Sequence, residues 1–413
     1  MAKTFKFGEN GKWATKTGSS MAYNDQNGNF KPMPFSVTRD SIATRVNKEG
    51  LIEVVGKDKL RIDYKDSSNG VALLEIARTN LIAYSNKFDV YWSLSGLGTG
   101  SAPVLNNNSI ISPDGSQNAT EVILDVGSGT TTSDRSSIEV SQTVSQGSEY
   151  TISFYLKGKN NGDQLMIGAI SGGYELITLT TEWERYSITQ TAASSPRSVF
   201  IGIRQGVFGT LNNNVEFYLF GAQLELGSYP TSYIPTQGET NGVTRSADVA
   251  NGAGNAQVFN DSEGVLFANI AALANDGTTR YIAVSDGSND ERVQVIFSTS
   301  GNISLQVVSS NTDQASATAI GSQIQYSKLA IKYKLNDCSF WYNGFKIHED
   351  SSAVMPSGLD TLGFERPTGV SQFYGKTKEI GVYDAVLTDA ELEALTSYTS
   401  FTNMANELNL TIK

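Results

Sequence analysis

The 413-residue sequence is poor in cysteine, histidine and positive charge. Its 31 Lys and Arg residues are outnumbered by 42 Asp and Glu residues, which gives a formal net charge of -11. Because nucleic-acid grooves need clustered basic side chains, this balance argues against a nucleic-acid partner. The single cysteine, Cys338, excludes an internal disulfide, and its strand-like surroundings predict a buried, inert thiol. The single histidine, His348, excludes histidine-based triads and multi-histidine zinc sites, and we expect it on the surface.

Long apolar runs are also missing. The first seven residues have no apolar core of the kind found in signal peptides. The longest apolar stretch, residues 265–274, is interrupted by Asn269 and is too short to cross a bilayer. We therefore expect a soluble protein that is made in a cytoplasm and is not inserted into a membrane.

The residues that are abundant indicate β-structure. Apolar side chains alternate with polar ones, which is typical of strands with one buried face, in residues 150–156, 199–203, 215–219, 293–297, 303–307 and 329–335. Asp-Gly or Asn-Gly pairs, which close tight turns, occur at 114–115, 161–162, 276–277, 286–287 and 343–344. These patterns predict an all-β protein with two antiparallel β-sandwich domains in tandem, after an extended N-terminal segment.

The predicted organisation has three parts. Residues 1–85 contain few strong strand patterns and are expected to be an extended segment that becomes ordered against partners. Residues 86–240 form the first sandwich and residues 256–413 the second, and residues 236–255, rich in Gly, Asn and Thr, are the best linker candidate. One helix is predicted from Asp389 to the neighbourhood of Tyr398, because Thr388 and Glu391 have the spacing of a capping box.

Candidate chemical sites are weak. The carboxylate pairs Glu182 with Glu184 and Asp360 with Glu365 could serve a glycosidase, but solvated strand faces explain them better. Residues 286–291 offer oxygen ligands without the spacing of an EF-hand loop, so a polar hairpin is favoured over a calcium site. We therefore predict no catalytic, cofactor-binding or metal-binding residues, no cofactor and no enzyme activity.

Aromatic side chains are the remaining candidates, because an aromatic ring offers apolar area that matches the C–H groups of a sugar. Tyr91, Trp92, Tyr174 and Trp183 could each act in this way. Alternation around Trp183 favours a position in the core, and we favour the core for each of the four.

Residues 41–53 read SIATRVNKEGLIE and are followed by Leu-Leu-Glu at 73–75, Arg-Thr-Asn-Leu at 78–81 and Tyr-Ser at 84–85. This run resembles a stretch that is common in bacteriophage tail-fibre and head-fibre proteins. Residues 221–235 read GAQLELGSYPTSYIP and are similar to the end of a jelly roll of the carbohydrate-binding-module type in such proteins. The C-terminal part resembles a concanavalin-A-like or laminin-G-like sandwich at residues 263–267, 340–344 and 373–392.

The resemblance implies a virion structural protein, and its narrower form suggests a phage of the crAss-like group. It implies attachment to other virion proteins through residues 1–85, a homo-oligomer with a trimer favoured, and sandwich domains that face host surface glycans as a fibre or receptor-binding component. A head fibre or capsid decoration protein without receptor contact is one alternative. A surface polysaccharide depolymerase is another.

Overall fold

The structure is a computed structural model that describes residues 4–8, 14–16, 19–21, 23–24, 30–31, 34–168, 173–407 and 410–412. The chain forms two compact units. One, here called the terminal unit, contains Met1–Lys48, Val54–Ile76 and Ser246–Lys413. The other, the central unit, contains Glu49–Glu53 and Ala77–Arg245.

Nearly all of the regular structure is strand. The strands of the first 80 residues are short: β1 (Thr4–Phe7), β2 (Ala14–Lys16), β3 (Ser19–Met21), β4 (Tyr23–Asn24), β5 (Phe30–Lys31), β6 (Ser36–Thr38), β7 (Ala43–Val46), β8 (Ile52–Val55), β9 (Arg61–Asp63), β10 (Val71–Leu74) and β11 (Arg78–Asn80). The following strands, up to Leu226, are β12 (Ser93–Leu97), β13 (Val104–Ile111), β14 (Gln117–Asp125), β15 (Arg135–Gln142), β16 (Glu149–Gly158), β17 (Gln164–Gly168), β18 (Tyr174–Thr178), β19 (Glu184–Thr191), β20 (Arg197–Arg204) and β21 (Asn214–Leu226).

The remaining strands lie between residues 243 and 383, and the helices follow them. These elements are β22 (Val243–Arg245), β23 (Val249–Asn251), β24 (Glu263–Ala272), β25 (Arg280–Ser285), β26 (Arg292–Phe297), β27 (Ile303–Ser309), β28 (Thr312–Ala319), β29 (Ser327–Lys334), β30 (Cys338–Tyr342), β31 (Phe345–Asp350), β32 (Thr361–Gly363), β33 (Gly375–Tyr383), α1 (Asp389–Thr396) and α2 (Phe401–Glu407). Neither helix of the described residues is long and apolar enough to cross a membrane.

The terminal unit is a sandwich of two antiparallel sheets. Sheet A has eight strands in the order β31-β30-β29-β24-β33-β10-β9, with β1 also paired to β33, and sheet B has the order β28-β27-β26-β25-β32. Every second side chain of β26, namely Val293, Val295 and Phe297, points into the core of this unit. Leu266 and Ile270 of β24 belong to the same core. This alternation is what the periodicity predicted, because a strand with one buried face needs an apolar residue at every second position.

The central unit is a second sandwich. Sheet C has the order β13-β14-β21-β16-β19 and sheet D the order β12-β15-β20-β17-β18. Ile152 and Leu224 of sheet C share one core with Ile138 and Ile201 of sheet D. The predicted all-β fold class with antiparallel sandwiches is therefore confirmed.

The boundaries of the two units differ from the domain boundaries predicted at residues 85 and 256. Strand β10 pairs with β33, so that Ala72 lies opposite Thr377 and Leu74 opposite Gly375. Strand β9 then pairs with β10, and β6 pairs with β23. The N-terminal strands 36–38, 61–63 and 71–74 thus complete sheets of the terminal unit within this chain. Most of residues 1–33, the first part of the predicted attachment segment, lies outside the described residues.

The interpretation of residues 236–255 as a linker is corrected. Within this stretch, β22 pairs with β11 and β23 pairs with β6. Asp248, between these strands, is only 1% exposed and forms an ion pair with Arg39 at 2.7 Å. Each strand has only three residues, too few to produce the periodic pattern by which strands are recognised in a sequence.

The predicted helix is present as α1. The Thr388 side chain accepts a hydrogen bond from the backbone N–H of Glu391, and the Glu391 carboxylate accepts one from the backbone N–H of Thr388, which completes the capping box. Leu392 of this helix packs against Phe267 and Trp341. The hairpin turn at Asn343 and Gly344, with φ of 47° and 88°, also follows the prediction.

Candidate functional site

The outward face of sheet D combines aromatic, basic and acidic side chains. On β20, Val199, Ile201 and Ile203 enter the core of the central unit. Because successive side chains of a strand point to opposite faces, Gly202 and Arg204 lie on the other face. The same alternation places Phe200 on this face, where its ring contacts Tyr174 and only 3% of the residue is exposed.

Strand register brings distant residues of this face together. Arg135 lies opposite Arg204 and Glu139 opposite Phe200 in the pairing of β15 with β20. Gly168 of β17 lies opposite Phe200 on the other side, and Tyr174 follows opposite Gly168. A row from Glu139 to Tyr174 therefore crosses four strands. We call Arg135, Glu139, Tyr174, Phe200 and Arg204 the sheet D face.

One half of the sheet D face is aromatic. The rings of Tyr174 and Phe200 meet edge to face, with centroids 4.8 Å apart and an interplanar angle of 62°. Arg204 donates one hydrogen bond from Nη1 to the Tyr174 hydroxyl at 3.4 Å and another from Nε to the carbonyl of Thr132 at 2.8 Å. Tyr174 is half-buried. This side chain is thus an amphipathic ring with a fixed orientation.

The other half is polar. Arg135 lies 3.4 Å from the Glu139 carboxylate and donates a hydrogen bond to the Ser95 hydroxyl at 3.2 Å. The Ser137 hydroxyl donates to Glu139 at 2.7 Å. Guanidinium donors, a carboxylate acceptor and hydroxyl groups beside an aromatic ring can bind a ligand that has both hydroxyl groups and an apolar face.

Gly202 lies near the middle of the outward face of sheet D, where there is no space for a side chain. A Cβ atom at Gly202 would lie 2.4 Å from the carbonyl oxygen of Ser136 and 2.7 Å from the Cβ atom of Ser137. Real Cβ atoms do not approach backbone atoms so closely, so a side chain at this position would push β15 and β20 apart. Gly202 therefore lets β15 and β20 pair closely at this point, where it lies between Ser137 and Met166 in the strand register.

The four aromatic residues singled out in the sequence do not form one site. Tyr174 lies on the sheet D face, whereas Trp92 is 5% exposed and belongs to the core of the central unit. Trp183 is half-buried against the small cluster that includes Phe220, and its indole N–H donates to the carbonyl of Ile111 at 3.1 Å. Tyr91 is 42% exposed. The core position favoured for all four is confirmed for Trp92 and contradicted for Tyr91.

The carboxylates of the two predicted pairs differ in exposure. Glu182 and Glu184 are both exposed, and Glu184 accepts a hydrogen bond from Thr180 at 3.1 Å. Asp360 is exposed, whereas Glu365 is 9% exposed and accepts a hydrogen bond from Asn251 at 2.8 Å. Each carboxylate is thus solvated or held by a neutral donor.

The predicted positions of His348 and Cys338 are confirmed. His348 is exposed and stacks on Phe340, with centroids 6.1 Å apart. Cys338 is 1% exposed, and burial raises the pKa of its thiol. A raised pKa keeps the thiol protonated, and the thiolate is the nucleophilic form.

The loop at residues 286–291 serves the fold. The Asp286 carboxylate accepts a hydrogen bond from the backbone N–H of Ser288 at 2.8 Å, and the Glu291 carboxylate accepts from Ser310 and Ser357. In the described part of the chain, no group of three or more His, Cys, Asp or Glu side chains is placed to hold a metal ion.

The grooves on the terminal unit are lined mainly by polar and charged side chains. One of about 630 Å³ is lined by Lys376, Lys378 and Tyr326, and the Lys378 ammonium lies 3.9 Å from the centre of the Tyr326 ring. Lys376 forms an ion pair with Asp66. The cationic groups of this groove therefore already have partners.

Comparisons with known proteins identify no family. No family model matches the chain, and no characterised protein matches its sequence. Among solved structures, a Ruminococcus gnavus sialidase CBM40 bound to α2,3 sialyllactose is similar at 17% identity over 36% of this chain and 93% of that one, with a TM-score of 0.30. Domain 4 of the arabinanase AbnA from Geobacillus stearothermophilus is similar at 15% identity over 37% and 73%, with a TM-score of 0.31.

A third similar structure spans both units. The Trypanosoma rangeli sialidase is 9% identical over 95% of this chain and 98% of that one, with a TM-score of 0.29. At these TM-scores, the three likenesses define neither a family nor a function for the chain.

Proposed function

We propose that the chain is a non-catalytic glycan-binding protein and that the sheet D face contacts the sugar. The observation that carries this proposal is the fixed Tyr174 ring, braced by Phe200 and Arg204, on the same face as the Arg135–Glu139 pair. A sugar ring presents C–H groups on one face and hydroxyl groups at its edge. The aromatic half matches the first and the polar half the second.

The face suits weak binding that is multiplied by copy number. Four of its five residues are half-buried and Phe200 is buried, so a bound sugar makes few contacts and each contributes little. Several copies held together would raise the overall affinity without any new contact. We accordingly include a homo-oligomer, with a trimer favoured, in the proposal.

The test is binding of the full chain to immobilised glycans, with three variants. Tyr174→Ala removes the ring and Arg204→Gln removes its brace, and each should weaken binding about tenfold, since one such contact contributes roughly 1.4 kcal/mol. Tyr218→Ala is the matched control, because Tyr218 is a half-buried tyrosine beside Lys159 on sheet C. Equal losses in Tyr218→Ala, or no glycan bound by the unaltered chain, would contradict the proposal.

We further propose that the protein is a bacteriophage fibre or receptor-binding component located in the virion. The resemblance of residues 41–53 and 221–235 supports this role. Attachment to other virion proteins through residues 1–85 belongs to the same proposal, with a head fibre or capsid decoration protein as the alternative. Cryo-electron microscopy of purified particles tests it: a symmetric projecting group of this chain agrees with a fibre, and a particle without the chain contradicts both forms.

The depolymerase alternative requires two carboxyl groups that face each other across a sugar, about 5–9.5 Å apart. On the sheet D face, Glu139 is engaged by Arg135 and Ser137. Release of reducing ends from host surface polysaccharide is the discriminating measurement, and our proposal expects none.

A further inference from the structure

The outward face of sheet B has a basic cluster that is separate from the sheet D face. On β26, Val293 and Val295 enter the core of the terminal unit, which places Arg292 and Gln294 on the opposite face. Gln294 lies opposite Gln306 of β27 and Ala283 of β25 in the strand register. Arg292 is only 8% exposed.

Arg292 is held by neutral groups. Its Nε donates to the Gln294 side-chain oxygen at 3.0 Å, and Gln294 in turn donates to Gln306 at 2.7 Å. Its Nη1 atom is buried and has no hydrogen-bond partner. Buried guanidinium groups are normally paired with a carboxylate or fully hydrogen-bonded, so an open Nη1 position needs an explanation.

A second guanidinium lies nearby. Arg366 lies over the Tyr281 ring, 5.9 Å from its centre, and donates from Nε to the amide oxygen of Asn289 at 3.0 Å. Burial, and then the charge of Arg366, lower the pKa of Arg292. Among the described residues neither arginine forms an ion pair with a carboxylate, and Tyr281, Asp290 and Asp313 oppose the lowering of the Arg292 pKa only in smaller part.

We infer that Arg292 and Arg366 form a binding site for an oxyanion carried by an acidic sugar, either a carboxylate or a sulfate group. An anion would accept a hydrogen bond from the open Nη1 position of Arg292 and reduce the repulsion between the two guanidinium groups. The Tyr281 ring would contact the apolar face of the sugar. Arg366 is half-buried and is the side chain that moves to admit the anion.

This site belongs to the terminal unit and does not depend on the sheet D face, so the two proposals fail separately. The probes are D-glucuronate, inorganic sulfate and D-glucose, titrated into the full chain at low ionic strength and followed by calorimetry and ligand-observed NMR. We expect saturable binding of glucuronate, sulfate or both, and none of glucose. Glucuronate without sulfate identifies a carboxylate ligand, and sulfate without glucuronate identifies a sulfated one.

The variants are Arg292→Gln and Arg366→Gln, each expected to weaken anion binding at least tenfold. Lys334→Gln is the control, since Lys334 is a half-exposed lysine of the same unit that already pairs with Glu263 at 2.8 Å. Because Arg292 is buried, Arg366→Gln carries the test if Arg292→Gln does not fold. No saturable binding of either anion, equal binding of glucose, or the same loss in Lys334→Gln would overturn the inference.

Discussion

Two buried polar networks, one around Asp248 in the terminal unit and one around Asn80 in the central unit, are built in different ways. In the terminal unit, Asp248 accepts hydrogen bonds from the guanidinium groups of Arg39 and Arg61 and from the backbone N–H of Glu75. In the central unit, Asn80 is fully buried and donates to the carbonyl groups of Ala222 and Ile234. The Asp248 network pairs a carboxylate with two guanidinium groups, whereas Asn80 is a neutral amide that is hydrogen-bonded to the backbone.

The difference has a physical consequence. Burial alone would lower the pKa of Arg61, but the charges of Asp248 and Glu75 outweigh it and raise the pKa. Such a network is stable only while all of its charges are present, because one missing partner leaves a buried charge uncompensated. A neutral amide instead loses individual hydrogen bonds. The network around Asp248 should therefore be more sensitive than the network around Asn80 to a single shape-preserving substitution.

The largest effect is expected for Asp248→Asn. The variant keeps the side-chain shape but removes the charge that faces Arg39 and Arg61, and breaking a buried pair costs about 3–5 kcal/mol. Hydrogen exchange measured segment by segment should show the loss in the terminal unit. Asp40→Asn is the control, because Asp40 pairs with Lys57 in solvent and such exposed pairs contribute little to stability. Equal losses of stability in Asp248→Asn and Asp40→Asn would show that burial of the Asp248 network does not matter.

The next effect is expected for Asn80→Ala. The Asn80 side-chain oxygen also accepts from the backbone N–H groups of Ile82 and Leu224, so all of its hydrogen bonds are to the backbone. Leaving such buried groups unpaired costs roughly 1–3 kcal/mol each, so we expect a loss above about 2 kcal/mol in the central unit. The exposed Asn106→Ala should change stability by less than about 0.5 kcal/mol. A loss as small as this in Asn80→Ala would contradict the account.

A smaller effect is expected for Thr388→Ala, which removes the cap of α1. Loss of an N-cap costs about 1 kcal/mol. Hydrogen exchange should increase in α1 and in the strands under it, which carry Phe267 and Trp341, while the central unit stays unchanged. An effect spread equally over both units would show that the units do not open independently.

The last prediction is a pH dependence in the central unit. The hydroxyl of Thr131, followed by the backbone N–H groups of Thr99 and Thr131, holds the pKa of Asp134 well below its usual range. A lowered folded pKa means that the stabilisation is complete above the unfolded pKa of about 4 and is lost as the pH falls further.

The difference in thermal midpoint between the unaltered chain and Asp134→Asn should therefore be largest near neutral pH. It should shrink below about pH 4. A difference that is constant with pH would contradict this assignment.

Much of the fold follows from local sequence, and the site does not. Alternation and turn dipeptides predict the strands, and Thr388 with Glu391 predicts α1, because each signal lies within a few neighbouring residues. The pairing of β10 with β33 joins residues about 300 positions apart, and no local pattern encodes it. For this reason the sequence did not predict that the terminal unit is built from segments at both ends of the chain.

The same limit applies to the sheet D face. Tyr174 was a candidate on its residue type alone, but Arg135, Glu139 and Arg204 become neighbours only through the register of β15 and β20. Their signal in the sequence is a polar residue at every second position of a strand, which is also the signature of any solvated face. Glu75 and Asn80 lie in the segments that resemble fibre proteins. Glu75 accepts a buried hydrogen bond from Arg61, and Asn80 donates one to the carbonyl of Ala222. These bonds explain why a carboxylate and an amide are needed at the two positions.

The most direct test of glycan binding without catalysis is one titration of the full chain with a purified bacterial surface polysaccharide, in which bound sugar and reducing ends are measured in the same sample. We predict saturable binding that Tyr174→Ala weakens, with no increase in reducing ends. Saturable binding accompanied by new reducing ends, or no binding at all, would contradict it.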